Sequence, residues 1–231
     1  MAAKDVKLLG ASASPYVNRV QFALNLKSIK YEFLQEDVFN KSELLLKSNP
    51  VHKKIPVLIH AHKPICESLV IVQYVDEFWS DAPTILPSHP YERANARFWA
   101  AYLDDKWFPL FRELRNAKDE ESKAGVLGKI FEGLTLLEGV FVKSSNGKGY
   151  FGGETIGYLD IVLGSFLGWV KAAEIMAQLK ILDETKTPAL VDWAERFVSH
   201  EAITGIIPEP EELIAVLKNF QAKAAAAAAS K

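Results

Sequence analysis

The stretch "NKSELLLKSNPVHKKIPVLIH", residues 40–60, decides how the first third of the chain folds. Its first half, "NKSELLLKS", reads as a short helix ended by "NP", because a proline drives the residue before it into extended geometry. Its second half, "KKIPVLIH", opens a strand on Pro56. Proline cannot donate to a sheet ladder and is tolerated at a strand's first position. A strand that starts on proline beside a helix N-terminus also suits a cis Ile55–Pro56 bond, which would turn the Ile55 backbone outward to pair with an extended peptide. Taken alone, the dipeptide more often marks an ordinary strand start.

On the N-terminal side, "VKLLG" (6–10) reads as a strand. From Ser14 onward Val17, Val20 and Leu24 recur at helical spacing, with Asn18, Arg19, Gln21 and Asn25 off that face. "YEFLQ" is a second strand. Downstream, "IPVLIH" and "KPIC" make two strands around the turn "AHK", and "ESLVIVQYVDEFW" is a helix apolar enough to expect burial on most sides. The order βαβ-α-ββα combines a parallel crossover with an antiparallel hairpin, which implies a four-stranded mixed sheet with helices on its faces. That is an α/β, thioredoxin-like domain over residues 1–80.

"SDAPTILPSHP" (80–90) carries three prolines and two serines, and we read 81–90 as an interdomain linker. The remainder, 91–231, reads as an all-α helical domain. In 91–116 Trp99, Leu103, Trp107, Leu110 and Leu114 form one apolar stripe. Ala94, Phe98, Ala101, Asp105 and Phe108 form another, and Pro109 is expected to bend the helix. A second helix covers 119–143 and is broken by "SSNGKG". "GYLDIVLGSFLGWVKAAEIM" reads as one buried central helix. "PALVDWAERFVSH" and "PEPEELIAVLKNFQAK" complete the set, and the terminal "AAAAAASK" is expected to fray.

Composition narrows the function. A chain of 231 residues with 49% hydrophobic and 24% charged residues is ordinary for a globular protein. A formal charge of −2 gives no electrostatic footprint for nucleic acid or an anionic membrane. No apolar run approaches the roughly 18 residues of a bilayer span, and "MAAKDVKLLG" does not read as a signal peptide. The single cysteine, Cys66, excludes internal disulfides and fits a reducing, cytoplasmic setting. Cys66 has no CxxC partner and reads as an inert thiol. "HAH" at 60–62 lacks a third ligand nearby, His52, His89 and His200 read as loop or surface residues, and no metal site is expected.

Three places carry candidate chemistry. Ser14 opens a helix just before Pro15, a residue favoured in the first helical turn. Glu67 and Ser68 open the apolar helix, whose unpaired N–H groups can take a carboxylate while Glu67 accepts from an amine. The same pair would also serve as a plain helix cap. Lys41 and Lys54 lie on flanking segments.

These features together resemble the glutathione transferases, and specifically the plant tau class. The resemblance rests on "SPYVNRV" (14–20), "QEDVFNKSELLLKSNPVHKKIPVLIH" (35–60), "KPICESLVIVQYVDEFW" (63–79) and "PYERANARFWAAYLDD" (90–105), and "YFGGETIGYLDIVLG" (150–164) extends it. It implies the cytosolic glutathione transferase fold and a reaction joining the glutathione thiolate to hydrophobic electrophiles. Glutathione would be co-substrate, with no prosthetic group. Detoxification of xenobiotics, a role in stress, a peroxidase side activity and a homodimer come with the family. A non-catalytic carrier of apolar plant metabolites is the alternative. By motif, Ser14 would donate to the glutathione sulfur, Lys41 and Lys54 hold the glycyl carboxylate, Ile55 pair through its backbone, and Glu67 and Ser68 hold the γ-glutamyl end. Ser12, Tyr16, Val38, Phe108, Arg112, Arg115, Trp169, Val216 and Phe220 would surround the electrophile. Pro56 (cis) and Asp160 would be structural. Arg93 or Arg97, with Asp76 or Glu77, would contribute to the subunit contact. Ser12 departs from the family's usual tryptophan, and Tyr16 stands where the family usually has phenylalanine.

Overall fold

In the computed structural model, which describes residues 5–81 and 83–229, four strands form one sheet. They are β1 (Val6–Gly10), β2 (Glu32–Gln35), β3 (Val57–His60) and β4 (Lys63–Cys66), in the order β2-β1-β3-β4. β1 pairs parallel with β2 and antiparallel with β3, and β3 pairs antiparallel with β4. Helix α1 (Pro15–Leu26) makes the crossover between β1 and β2. Gly10 ends β1 because a Cβ there would come within 2.5 Å of the Val17 side chain on α1. The short α2 (Glu43–Ser48) and α3 (Ser68–Phe78) complete the first unit.

The α3 sequence promised burial on most sides, but the helix buries one face only. Ile71, Val72 and Val75 are fully enclosed, whereas Val70 and Phe78 stay exposed. The proline-rich segment that follows is anchored rather than slack. Asp76 accepts from the backbone N–H of Ile85 (2.8 Å) and Leu86 (2.9 Å), and Lys27 pairs with the same carboxylate at 2.8 Å. Both carboxylate oxygens are therefore engaged within the chain, and Asp76 is withdrawn from any subunit contact.

The helical unit runs α4 (Pro90–Tyr102), a π-helical turn at 103–107, α5 (Pro109–Asn116), α6 (Glu120–Ser145), α7 (Tyr158–Gly164), α8 (Leu167–Ala177), α9 (Pro188–Val198) and α10 (Pro210–Ala229). The sequence suggested one bent helix over 91–116. Instead the chain widens one turn before Pro109, and Phe108 N–H reaches back five residues to Leu103 C=O at 2.9 Å. Pro109 has no N–H to offer and its ring crowds the carbonyl four residues earlier, so a wider turn accommodates it. Of the two stripes read in this region, the one through Leu103 and Trp107 is buried. The stripe through Ala94, Phe98, Ala101 and Asp105 faces outward.

The central apolar helix also divides, at Ser165–Phe166. Ser165 turns its hydroxyl back onto Val162 C=O (2.7 Å), a bond that bends helices. Gly164 and Gly168 bring the two halves tightly against Phe197 and against Ile207 and Leu213. At the other end, the alanine run continues α10 as far as Ala229 instead of fraying from Ala224, while the last two residues lie outside the described range.

Asp160 is completely buried and accepts from the N–H groups of Phe151, Gly152 and Gly157 and from the Trp193 indole (2.7–3.0 Å). Gly157 has no side chain with which to return the bond, so the cap at α7 is one-sided. Burial outweighs the four donors and pushes this carboxyl up to about 6. The native state thus holds the proton more tightly than the unfolded chain does, and Asp160 contributes less to stability as pH rises through that window. Urea unfolding of wild type and Asp160→Asn should show a stability difference that falls from about pH 4 to about pH 6, by at most about 3 kcal/mol. A difference independent of pH would contradict this.

Candidate active site

Ser14 is the N-cap of α1, half-buried, its Oγ accepting from Val17 N–H at a long 3.4 Å. The hydroxyl proton is left to point at a ligand, at the positive end of a 12-residue helix. The loop before it is braced from two sides. Asn18 donates to Ser12 C=O (3.2 Å), and the Trp169 indole on α8 donates to Ala13 C=O (3.0 Å).

A cleft of about 210 Å³ lies beside this helix, lined by Tyr16, Lys54, Ile55, Pro56, Glu67 and Ser68. Asn49 shapes its floor by donating to Lys54 C=O (2.9 Å) and accepting from His52 N–H (3.0 Å). The Ile55–Pro56 bond is cis. Ile55 engages neither its N–H nor its C=O with another backbone group among the described residues. Glu67 precedes α3 with φ +71, a conformation L side chains rarely adopt, and makes no capping bond. The start of α3 consequently has no side-chain cap, and the half-exposed Glu67 carboxylate lies 3.9 Å from His52 Nε2. The Cys66 thiol beside it is pushed up by burial and by the Glu67 charge, which makes it a poor nucleophile.

Sequence spacing missed the residue at the centre. Arg19 was read as lying off the apolar face of α1, yet it is fully buried. Its guanidinium meets Asp104 bidentately (2.9 and 2.6 Å), Ser165 Oγ (3.0 Å) and Ser68 Oγ (3.4 Å), and lies over the rings of Tyr16 and Phe166. Asp104 is 85 residues away, and only the fold brings it there. The one signal in the sequence was an arginine inside an otherwise apolar-facing helix.

The remaining expected residues are less gathered. Lys41 is exposed on a loop pinned by Glu36, which accepts from Ser42 N–H and Oγ, and it does not line the cleft. Phe108 stacks on Phe166 with centroids 3.8 Å apart, and Phe166 meets the edge of Tyr16. Val38 is half-buried beside Phe39, which packs on Phe220 of α10. Val216 lies on that helix, which packs against α8. Arg112 lines a separate surface groove of about 550 Å³ with Pro109, Glu113 and Asn116, and Arg115 is exposed nearby. Among the described residues no His/Cys/Asp/Glu group could hold a metal, and no helix is long and apolar enough to cross a membrane.

Comparison with known proteins bears directly on this cleft. Residues 4–77 match the family model "Glutathione S-transferase, N-terminal domain" and residues 98–201 match "Glutathione S-transferase, C-terminal domain". Glutathione S-transferase U18 of Arabidopsis thaliana is 59% identical over 214 residues, 92% of this chain and 94% of that relative. The structure of a tau-class glutathione S-transferase from mango, Mangifera indica, superposes with a TM-score of 0.92 at 56% identity, covering 94% of this chain and 99% of that one. The chain belongs to the tau-class glutathione S-transferases. A rice transferase solved in complex with glutathione also matches, with a TM-score of 0.84 at 35% identity over 94% of this chain and 100% of that one. Glutathione is the co-substrate of this transferase.

The buried Arg19–Asp104 pair holds the transferase's two units at the cleft. Asp104→Ala would leave a buried, unpaired guanidinium and should cost about 3–5 kcal/mol of stability in urea unfolding. Adding Arg19→Met should recover part of that loss. Additive losses in the double variant would show that the two side chains do not act as a pair.

Proposed function

We propose that Ser14 activates the glutathione thiol and that the cleft between Ser14, Ile55, Glu67 and Ser68 holds the tripeptide. The observation that carries this reading is a hydroxyl at the N-terminus of α1 beside a cleft that holds the Ile55 backbone, which pairs with no other backbone group among the described residues, a helix start without a side-chain cap, and the Glu67 carboxylate, whose neighbour is His52. Those three features suit a cysteinyl amide, an α-carboxylate and an α-ammonium in turn. Lys54 lines the cleft and suits the glycyl carboxylate; Lys41, exposed on its loop, would reach the same group from outside.

The energetics are sufficient without a protein base. A thiol of pKa about 8.5 is only a few per cent thiolate at neutral pH. Lowering it two units takes roughly 2.7 kcal/mol. A charge-assisted hydrogen bond gives about 1.5–3 kcal/mol, and a helix N-terminus about 0.3–2. The thiolate then attacks an apolar electrophile held against the aromatic wall of Phe108 and Phe166, with Val38, Val216, Phe220 and Trp169 around it. Ser12, exposed at the loop tip, leaves room where relatives usually place a large ring. The named relatives are transferases, and no observation favours the carrier reading.

The same reading includes the division into 1–80, a linker at 81–90 and 91–231, a cytosolic location suited to free glutathione and an unpaired Cys66, and a homodimer. Support for the dimer comes from Val70, Phe78 and Phe98, large apolar side chains left exposed on α3 and α4. Arg97 joins these helices through Gln73, and Glu77 is the exposed acidic neighbour.

Ser14→Ala should raise the pKa of bound glutathione, read as thiolate absorbance against pH, and lower conjugation about ten- to hundredfold. Unchanged ionisation would remove Ser14 from the role. Light scattering should report twice the chain mass for wild type and a monomer for Phe98→Glu; a monomeric wild type would reject the dimer.

A further inference from the structure

Tyr16 occupies an unusual place. It is the second residue of α1, two positions after Ser14, and it lines the glutathione cleft with Ile55, Glu67 and Ser68. Its ring meets the edge of Phe166 (centroids 6.2 Å apart), which stacks on Phe108, so the same side chain belongs to both the cleft and the aromatic wall. The Arg19 guanidinium covers the ring, 4.9 Å from its centroid. The phenolic hydroxyl donates to no group among the described residues, and it is not sealed in the core. A hydroxyl held on a rigid helix turn, without a protein partner, at the junction of two subsites is available to a ligand.

We propose that the Tyr16 hydroxyl is a hydrogen-bond donor to the electrophile and favours substrates that place negative charge on an oxygen, α,β-unsaturated carbonyls above all. This rests on the reading of the cleft as the glutathione site with Ser14 as the thiol's partner. Ser14 and Tyr16 then divide the labour: one stabilises charge on sulfur before attack, the other stabilises charge on oxygen after it.

The electrons balance in a simple addition. The thiolate, its proton already released to solvent, forms a C–S bond at the β-carbon. The C=C π pair moves toward the carbonyl, whose oxygen becomes the enolate and accepts from Tyr16 O–H. The α-carbon then takes a proton from water and the C=O bond re-forms. Thiol and alkene have added with no net oxidation or reduction, and the phenol ends as it began. Desolvation on burial, aided by the Asp104 charge, pushes the phenol above its ordinary value against the opposing pull of Arg19, so it stays protonated at neutral pH and can only donate. That argues against Tyr16 as the group that ionises the thiol.

Tyr16→Phe keeps the ring and its contact with Phe166 and removes only the oxygen. The experiment compares wild type and Tyr16→Phe in conjugation of glutathione to trans-2-nonenal and to benzyl chloride. The second electrophile expels chloride and develops no charge on oxygen. The thermal melt and the pH titration of bound thiolate accompany the kinetics. The proposal expects kcat for the enal to fall at least about tenfold further than kcat for benzyl chloride, with the thiolate titration unmoved. Equal losses on both substrates, an unchanged enal rate, or a wild type inactive toward the enal would overturn it. A shifted thiolate titration would instead transfer the sulfur's activation from Ser14 to Tyr16, overturning this proposal and the underlying site reading together. Loss of the Ser14→Ala effect with the enal selectivity intact would indict only the site reading.

Discussion

A guanidinium taken wholly out of water is the constraint on which the rest of this structure depends. An isolated buried cation costs several kcal/mol even after the surroundings relax, so Arg19 is tolerable only if its donors are met. Asp104, Ser165 and Ser68 meet them, and each comes from a different part of the chain. Satisfying one side chain therefore fixes α1 against the π turn, against the break between α7 and α8, and against the first residue of α3. Those are the pieces that position Tyr16 and Ser68 at one cleft, with Phe166 against the Tyr16 ring. The charge stabilises through placement, since an ion pair of this kind adds little net stability over a well-packed apolar core.

The aromatic wall follows from the same arrangement. The π turn that presents Asp104 to Arg19 also brings Phe108 onto Phe166, and Phe166 carries the guanidinium on one side and Tyr16 at its edge. The Trp169 indole reaches from α8 to the carbonyl of Ala13, one residue before the serine. The helical unit thus supplies more than a pocket for the second substrate. It also braces the loop that carries Ser14.

Much of this was legible in the sequence. Strands at 6–10, 57–60 and 63–66 announce themselves through apolar runs bounded by glycine, proline and turn residues, and Pro15 marks where α1 begins. The cleft residues Ile55, Glu67 and Ser68 follow from a strand start and a helix start, which are local signals, whereas Lys54 is placed by the resemblance. What could not be read is long-range. Arg19 sits at a helical phase that periodicity assigns to solvent, and its partners are distant in the chain. The π turn leaves no periodic trace, and Arg112, placed by resemblance alone, lies in a separate groove. Asp76 reads as a surface acid of α3 until the linker's N–H groups are seen to consume it. The stripe of Ala94, Phe98 and Ala101 carries the periodicity of a core face but faces outward, and spacing alone does not tell an exposed apolar stripe from a buried one.

The central claim is that the sulfur of glutathione lies at the N-terminus of α1 within reach of Ser14. A crystal structure of the transferase with glutathione tests it most directly. The account predicts the sulfur within about 3.5 Å of Ser14 Oγ, with the cysteinyl backbone paired to Ile55 and the γ-glutamyl end at Glu67 and Ser68. A sulfur placed against the Tyr16 hydroxyl, or a tripeptide bound outside the Ile55–Ser68 cleft, would contradict it.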